Sequence, residues 1–372
     1  MLDNNKAGDS IINFVENSQF FFGLDNQFEI VRNNNKNYIF YVTYTNKEKN
    51  SHTNLNISEI NENNKLQNNQ VLNNLFEDYI REIRNFYNKY NSENYILVSS
   101  RSNEIKVFEF SDKSGLVLKK YIKNIYNQSG NLSSSVIKFD PILNNSEIIT
   151  SCWLPDKIKK YKFKNREENL NDYTDYADIV NVKYMNIYLN KYLLFCGCNS
   201  NDKENCCNCI DLIQHIKYKY QDSNQKQTIF LNLIVYDNNK NQETLLLVCD
   251  EGGYIRIFNF YKRDLIQKVK PSKERINTIL FINNKIYITE KNTGNFYILD
   301  FEPNFKINEN KTKRMKVFDD KIFSLRYLSE TKSGIFIVAN GSDKKELENM
   351  KDLEKSYCIK LINLNDLKLQ LI

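Results

Sequence analysis

The chain has 372 residues, of which 41% are apolar and 13% aromatic, and it carries a formal net charge of +6. That content supports a sizeable core and excludes global disorder, while the charge is too small and too dispersed for a nucleic-acid-binding stripe. No apolar run approaches the roughly 18 residues of a membrane span, and the opening MLDNNKAGDSIINF lacks the basic and apolar segments of a signal peptide. These features predict a soluble intracellular protein, cytoplasmic by default with the nucleus as a secondary option, without a transmembrane segment.

Only 10 Gly and 4 Pro are present, so Asn and Asp must fill many turns, which their local hydrogen bonding and tolerance of left-handed backbone allow. The run Asn33–Asn35 reads as compositional drift. In chain order, a first hairpin is expected from Tyr38–Thr45 with Asn54–Ile60, followed by a polar, Asn-rich loop over Glu62–Asn74 that holds an outer strand at most. A clearer phrase begins at residue 94, NYILVSSRSNEIKVFEF. It returns as TLLLVCDEGGYIRIFNF at 244–260 and KIYITEKNTGNFYILDF at 285–301. Each copy is an apolar run, a polar turn and an alternating strand that ends on Phe. Self-similarity at roughly 40–50 residues marks a propeller or another repeat array.

A shorter pattern, apolar-x-x-apolar-x-apolar, precedes most copies. It appears at Ile179–Tyr184, Phe230–Val235, Ile276–Phe281 and Ile322–Tyr327. An innermost propeller strand needs apolar groups against its neighbours and small or polar groups near the axis. Third-strand candidates are Asn54–Ile60, Glu104–Phe110, Lys157–Phe163, Cys209–Ile216, Tyr254–Phe260, Asn295–Phe301 and Tyr357–Leu364. They predict an all-β, seven-bladed β-propeller of four-stranded antiparallel blades, in a single domain over 1–372 whose first blade spans about 18–74. Leu367–Ile372 is a candidate last outer strand, and closure requires pairing between the termini because open edges invite association. Hairpin insertions fall at 199–205 and 343–355. The second places Leu347, Met350 and Leu353 at helical spacing.

This unit resembles the blade of the WD-repeat β-propeller family. Phe110, Phe163 and Phe260 stand where the family's strand-ending Trp-Asp falls, Asp300-Phe301 occupies an equivalent strand end, and the family's Gly-His opening is absent. The resemblance covers roughly residues 75–364 and rests on periodicity and on the hairpin phrase Asp250–Phe258. It implies that Phe258, Phe260 and Phe301 are buried packing aromatics, and that the chain acts as a scaffold for partner proteins.

Chemistry-bearing residues are few. Cys196, Cys198, Cys206 and Cys209, within CGCNSNDKENCCNC, are soft sulfur ligands that would form a tetrahedral zinc site if they converged. The weightier expectation is free thiols packed as small apolar groups and no cofactor. The two histidines, His52 in a polar turn and His215 at a strand end, have no companion nucleophile or acid, so no enzyme activity is expected. Asp78, Arg81, Arg84, Lys273, Glu274, Arg275, Lys321 and Arg326 lie beside or on inner strands and form the candidate partner-binding rim. A basic strip of Lys157, Lys159, Lys160, Lys162 and Lys164 is of the kind that contacts phosphates or anionic lipids, but the weightier expectation is a strand whose lysines guard a sheet edge. The leading expectation is a non-catalytic protein-interaction scaffold that binds through its loop rim. The alternatives are a lipid- or nucleic-acid-binding propeller and a propeller enzyme with a channel site.

Overall fold

The computed structural model describes residues 11–17, 27–47, 50–123, 125, 132–152, 158–163, 179–199, 205–222, 230–238, 243–290, 292–331, 334–345, 354–365 and 370–371. The chain is all-β and forms a seven-bladed β-propeller whose blades are antiparallel sheets. After β1 (Ile11–Asn17), blade one is β2 (Phe28–Asn33), β3 (Lys36–Lys47), β4 (Asn50–Ile60) and β5 (Leu66–Phe76). Blade two is β6 (Ile80–Asn88), β7 (Glu93–Ser100), β8 (Ile105–Ser111) and β9 (Gly115–Ile122). Blade three has three strands among the described residues, β10 (Leu132–Lys138), β11 (Glu147–Cys152) and β12 (Ile158–Lys162). Blade four is β13 (Ile179–Tyr188), β14 (Tyr192–Asn199), β15 (Asn205–Asp211) and β16 (Ile216–Tyr220). Blade five is β17 (Phe230–Asn238), β18 (Glu243–Asp250), β19 (Ile255–Asn259) and β20 (Leu265–Val269). Blade six is β21 (Ile276–Ile282), β22 (Lys285–Glu290), β23 (Asn295–Phe301) and β24 (Ile307–Lys316). Blade seven is β25 (Lys321–Thr331), β26 (Gly334–Lys345) and β27 (Glu354–Asn363), and β28 (Gln370–Leu371) ends the chain.

The chain divides into two compact units, 76–268 with blades two to five, and 1–75 with 269–372, which holds blades one, six and seven. In the second of these, the N-terminal strand completes the last blade: β1 pairs antiparallel with β27, Ile12 opposite Leu361. The C-terminal β28 pairs with β24 instead and is a fifth strand of blade six. The expected outer strand at Leu367–Ile372 is therefore corrected, because the edge of β27 is already covered.

Three further expectations shift. Blade one has an inner strand, β2, that the sequence pattern did not single out, and the polar Glu62–Asn74 segment is mostly the strand β5. The third strand of blade four is Asn205–Asp211, not Cys209–Ile216. His215 consequently lies in the turn that follows, with φ 58°. Asn34 and Asn35, with φ 45° and 65°, form the two-residue β2–β3 turn, and Asn283 and Asn284 do the same between β21 and β22. Positive φ at both central positions matches the right-handed twist of a hairpin, so the Asn run is turn chemistry and not drift. In blade seven, pairing continues to Lys345 opposite Glu354, so the outer parts of the 343–355 insertion extend the hairpin. Leu347, Met350 and Leu353 lie outside the described residues.

The apolar-x-x-apolar spacing of the inner strands has a physical cause. A regular strand returns to the same face every second residue, so an i, i+3 apolar pair requires one extra residue. Register slips supply it between Ile80 and Glu82, Leu132 and Ser134, Phe230 and Asn232, Ile276 and Thr278, and Ile322 and Ser324. The bulge lets Ile80 with Ile83, Ile276 with Ile279, and Ile322 with Leu325 all be buried. Phe258, Phe260 and Phe301 are buried as expected. Phe260 packs edge-on against Tyr188 and Tyr192, joining blades four and five.

Polar staples hold the start of three blades to the end of their second strands. In blade five, the buried Arg256 bridges Asp222, at 3.1 Å, and Asp250. Asp250 also accepts the amides of Gly252 and Tyr254 at 2.9 Å each. In blade six, Ser272 donates to Glu290 at 2.7 Å, and in blade seven Ser342 donates to Asp320 at 2.9 Å. Buried charge of this kind is tolerated only when it is paired and hydrogen-bonded.

Candidate functional site

In a four-stranded meander, the first-to-second and third-to-fourth strand turns share one edge, and the second-to-third turns share the other with the blade connections. In the 76–268 unit, the exposed large apolar side chains among the described residues gather at the first of these edges, except Val117 and Leu118 on the outer strand β9. Tyr87 and Tyr90 flank the β6–β7 turn, Ile142 the β10–β11 connection, and Leu189 the β13–β14 turn. Ile213 and Tyr261 lie in the third-to-fourth turns of blades four and five. Clustered apolar exposure marks an interaction surface, whereas scattered single residues need no explanation.

A cavity of about 390 Å³ opens on this edge between the ends of β6, β10 and β13. Phe86, Ile137, Phe139 and Ile187 give it apolar walls, and Tyr87, Tyr90 and Leu189 form its lip. Its size lies at the small end of ligand pockets, about 300–1,000 Å³. Arg84 reaches its floor from β6. The guanidinium Nη1 donates to the carbonyls of Ser135, at 3.0 Å, and Met185, at 2.7 Å. Nη2 makes only a long 3.5 Å contact to Asn186 Oδ1. The charge lies over the Phe86 and Tyr184 rings, 5.1 and 5.2 Å from their centroids, a favourable cation–π arrangement.

Behind Arg84 lies Glu82, whose Oε1 is 3.8 Å from Nε. Glu82 accepts the Ser135 amide at 3.0 Å and the Ser134 hydroxyl at 3.3 Å. Burial pushes its carboxyl above the ordinary glutamate value, and Arg84 works against that shift. One wall is pinned by Asn190. Its Oδ1 accepts the Phe139 amide at 2.8 Å, and its Nδ2 donates to the Phe139 carbonyl. The β13–β14 turn is thereby fixed to the end of β10, and the cavity is pre-formed.

The residues expected to form one rim are placed in different ways. Lys273 and Glu274 are exposed and Arg275 is half-buried, all ahead of β21, and Lys321 is half-buried at the start of β25. Asp78 and Arg81 are half-buried around the start of β6, where Asp78 accepts the Tyr79 amide at 2.7 Å. Arg84 and Arg326 are not rim residues. Arg84 is buried inside its unit, and Arg326 is spent on Glu29 at 3.1 Å and lies over the Phe28 ring. The basic strip is also corrected in part. Lys159 is buried with its ammonium on the Ile125 carbonyl at 2.7 Å, and Lys160 pairs with Glu147 at 2.8 Å, leaving Lys162 exposed. Lys157 and Lys164 lie outside the described residues.

The four cysteines proposed for zinc lie on the paired strands β14 and β15. Cys196 is in register with Cys207, Gly197 with Cys206, Cys198 with Asn205 and Leu194 with Cys209. Because the pleat alternates, position 206 is out of phase with 196, 198 and 209. The side chains of Cys198 and Cys206 lie outside the described residues. Cys196, Cys207 and Cys209 are buried free thiols in an apolar cluster with Tyr220, Leu246 and Phe258. Burial, helped by the neighbouring Cys207 and Asp211, pushes the Cys209 thiol up to about 12, and a thiol so protonated is inert as a nucleophile. Among the described residues no three His, Cys, Asp or Glu side chains come together as a metal site, and no helix is long and apolar enough to cross a membrane. The His52 side chain lies outside the described residues.

The cavity residues Phe86, Tyr90, Phe139 and Leu189 were not among the sequence candidates. One signal for them was available. Leu189-Asn190-Lys191 occupies the turn where blades one and six use Asn-Asn, which puts an apolar side chain in a left-handed position that favours Asn. No family model and no curated protein sequence matches the chain.

Proposed function

We propose that this chain is a non-catalytic protein-interaction scaffold, a divergent propeller of WD-repeat type that holds partner proteins on the edge of blades two to five carrying the first-to-second strand turns. The observation that supports this reading is the gathering of exposed Tyr, Leu and Ile side chains on that edge. Aromatic anchors with a polar surround are the usual composition of a docking surface. It replaces the charged inner-strand entrances as the leading contact surface, since Arg326 is already spent on Glu29 and Arg84 opens only onto the floor of the cavity.

Cross-linking mass spectrometry on the affinity-purified chain tests it. Partner cross-links should map to lysines near this edge, such as Lys89, Lys191 and Lys262. They should be lost when Tyr87, Ile213 and Tyr261 are all changed to Ser, with circular dichroism unchanged. Changing Lys273 and Glu274 to Ser should leave them in place. Cross-links that follow the Lys273–Glu274 change, or a purified chain that turns over substrate without binding protein, would sink the reading.

A further inference from the structure

Resting on that reading, we propose that the cavity at the ends of β6, β10 and β13 is an anchor for one segment of a partner protein, a peptide with an aromatic side chain beside a carboxylate. The charge of the cavity selects the carboxylate. Its lining includes two cations, Arg84 and Lys89, and no acid. Both Nη1 donors of Arg84 are satisfied by carbonyls, whereas Nη2 has only the 3.5 Å contact to Asn186, so one guanidinium donor is available to an incoming acceptor. Glu82 sits beneath the guanidinium and not in the cavity, where it holds Arg84 in place. A charged acceptor gains more from such a donor than a neutral one does.

The walls select the aromatic. Phe86, Phe139 and Tyr90 supply ring faces and edges, and aromatic pairs gain from offset or edge-on contact beyond the area they bury. A volume of about 390 Å³ admits one or two side chains and not a helix, so the ligand is an extended segment with a single anchor. The lip shows the same bias. Leu189 is 61% exposed with φ 51°, and a left-handed leucine is costly where Asn would be free of strain. The chain keeps an apolar group at the mouth at the expense of its own turn.

A dye-labelled Gly–Ser peptide carrying one Phe–Glu pair, followed by fluorescence anisotropy with the full chain, tests the proposal beside Phe–Gln and Phe–Lys versions. Phe–Glu should bind about tenfold or more tightly than Phe–Gln, the size of one charge-assisted hydrogen bond, with Phe–Lys weakest. Lys89→Glu should weaken Phe–Glu and spare Phe–Gln. Leu189→Asn should weaken all three peptides while the melting temperature holds or rises, an outcome that a merely structural role for Leu189 does not give. Equal binding of Phe–Glu and Phe–Gln, or indifference to both variants, overturns the proposal. So does binding of 3-phenylpropionate with none of the peptides, which would make the cavity a small-molecule site. The two readings fail separately. Cross-links that survive Lys89→Glu and Leu189→Asn remove the anchor and leave the scaffold, whereas peptide binding without any partner cross-link at this edge removes the scaffold.

Discussion

Phe260 shows how much one side chain carries. It is buried against Tyr188, Tyr192 and Tyr261 in edge-on geometry, and the Tyr220 hydroxyl donates to its carbonyl at 2.6 Å. Phe260→Ala should cost about 3–5 kcal/mol in urea unfolding, because the rigid walls around it cannot close the cavity; a loss below about 1 kcal/mol would contradict this packing. Glu290 makes a prediction of a different kind. Burial works to raise its pKa, but hydrogen bonds from Thr293, Ser272, Asn295 and Tyr297 outweigh it and hold the carboxyl below 4.5. A carboxyl lowered on folding stabilises the protein above the unfolded glutamate value and loses that contribution as pH falls through the folded one. Glu290→Gln should therefore cost about 1–3 kcal/mol at neutral pH, and its deficit should shrink as urea titrations are carried below pH 4.5. A deficit that is constant with pH would show that the carboxylate is not the cause. The thiols of Cys196, Cys207 and Cys209 should resist iodoacetamide in the native protein and react on unfolding, as read by peptide mass spectrometry, because burial keeps all three out of reach and holds the Cys207 and Cys209 thiols protonated.

At the scale of elements, turns and bulges decide the outcome. Gly294 has φ 63°, and a Cβ there would run into the Phe318 backbone carbonyl, while the Val317 and Phe318 amides donate to the Gly294 carbonyl at 3.1 and 3.4 Å. Gly294→Ala is thus opposed both by conformation and by space, and should lower the melting temperature by several degrees, corresponding to about 1–3 kcal/mol. An unchanged melting curve would mean that the connection ahead of β25 is free to move. The hairpins were legible in the sequence because alternation and polar turns are local properties. The third strand of blade four was misplaced for a local reason too: Cys209–Ile216 and Asn205–Asp211 both present alternating apolar residues, and only pairing of Leu193 with Ile210 and Phe195 with Asn208 chooses between them. Strand β2 escaped notice because one short strand without a preceding repeat carries little periodic signal.

At the scale of the whole molecule, the N-terminal strand is the largest single dependency. β1 covers an edge of β27 that would otherwise present unpaired backbone groups. Truncation through Asn17 should lower stability and drive concentration-dependent association on size-exclusion chromatography, while truncation of Gln370–Leu371 should do little, because β28 makes only a two-residue register with β24. A truncated chain that stays monomeric with an unchanged melting curve would show that β1 is dispensable.

The sequence by itself determined the all-β class, the seven repeats, the Asn-built turns and the buried Phe258, Phe260 and Phe301, since each follows from patterns within about fifty residues. Which strand finishes the last blade, the phase that separates Cys206 from Cys196, and the cavity at the ends of β6, β10 and β13 were decided by tertiary structure alone. Arg84, Phe139 and Leu189 are each separated by some fifty residues or more, and no local pattern states that three inner strands end side by side. Arg84 shows the physical reason most directly. On sequence it reads as one more surface charge, and it becomes a cavity floor because Ser135 and Met185, on β10 and β13, supply the carbonyls that let a guanidinium be buried.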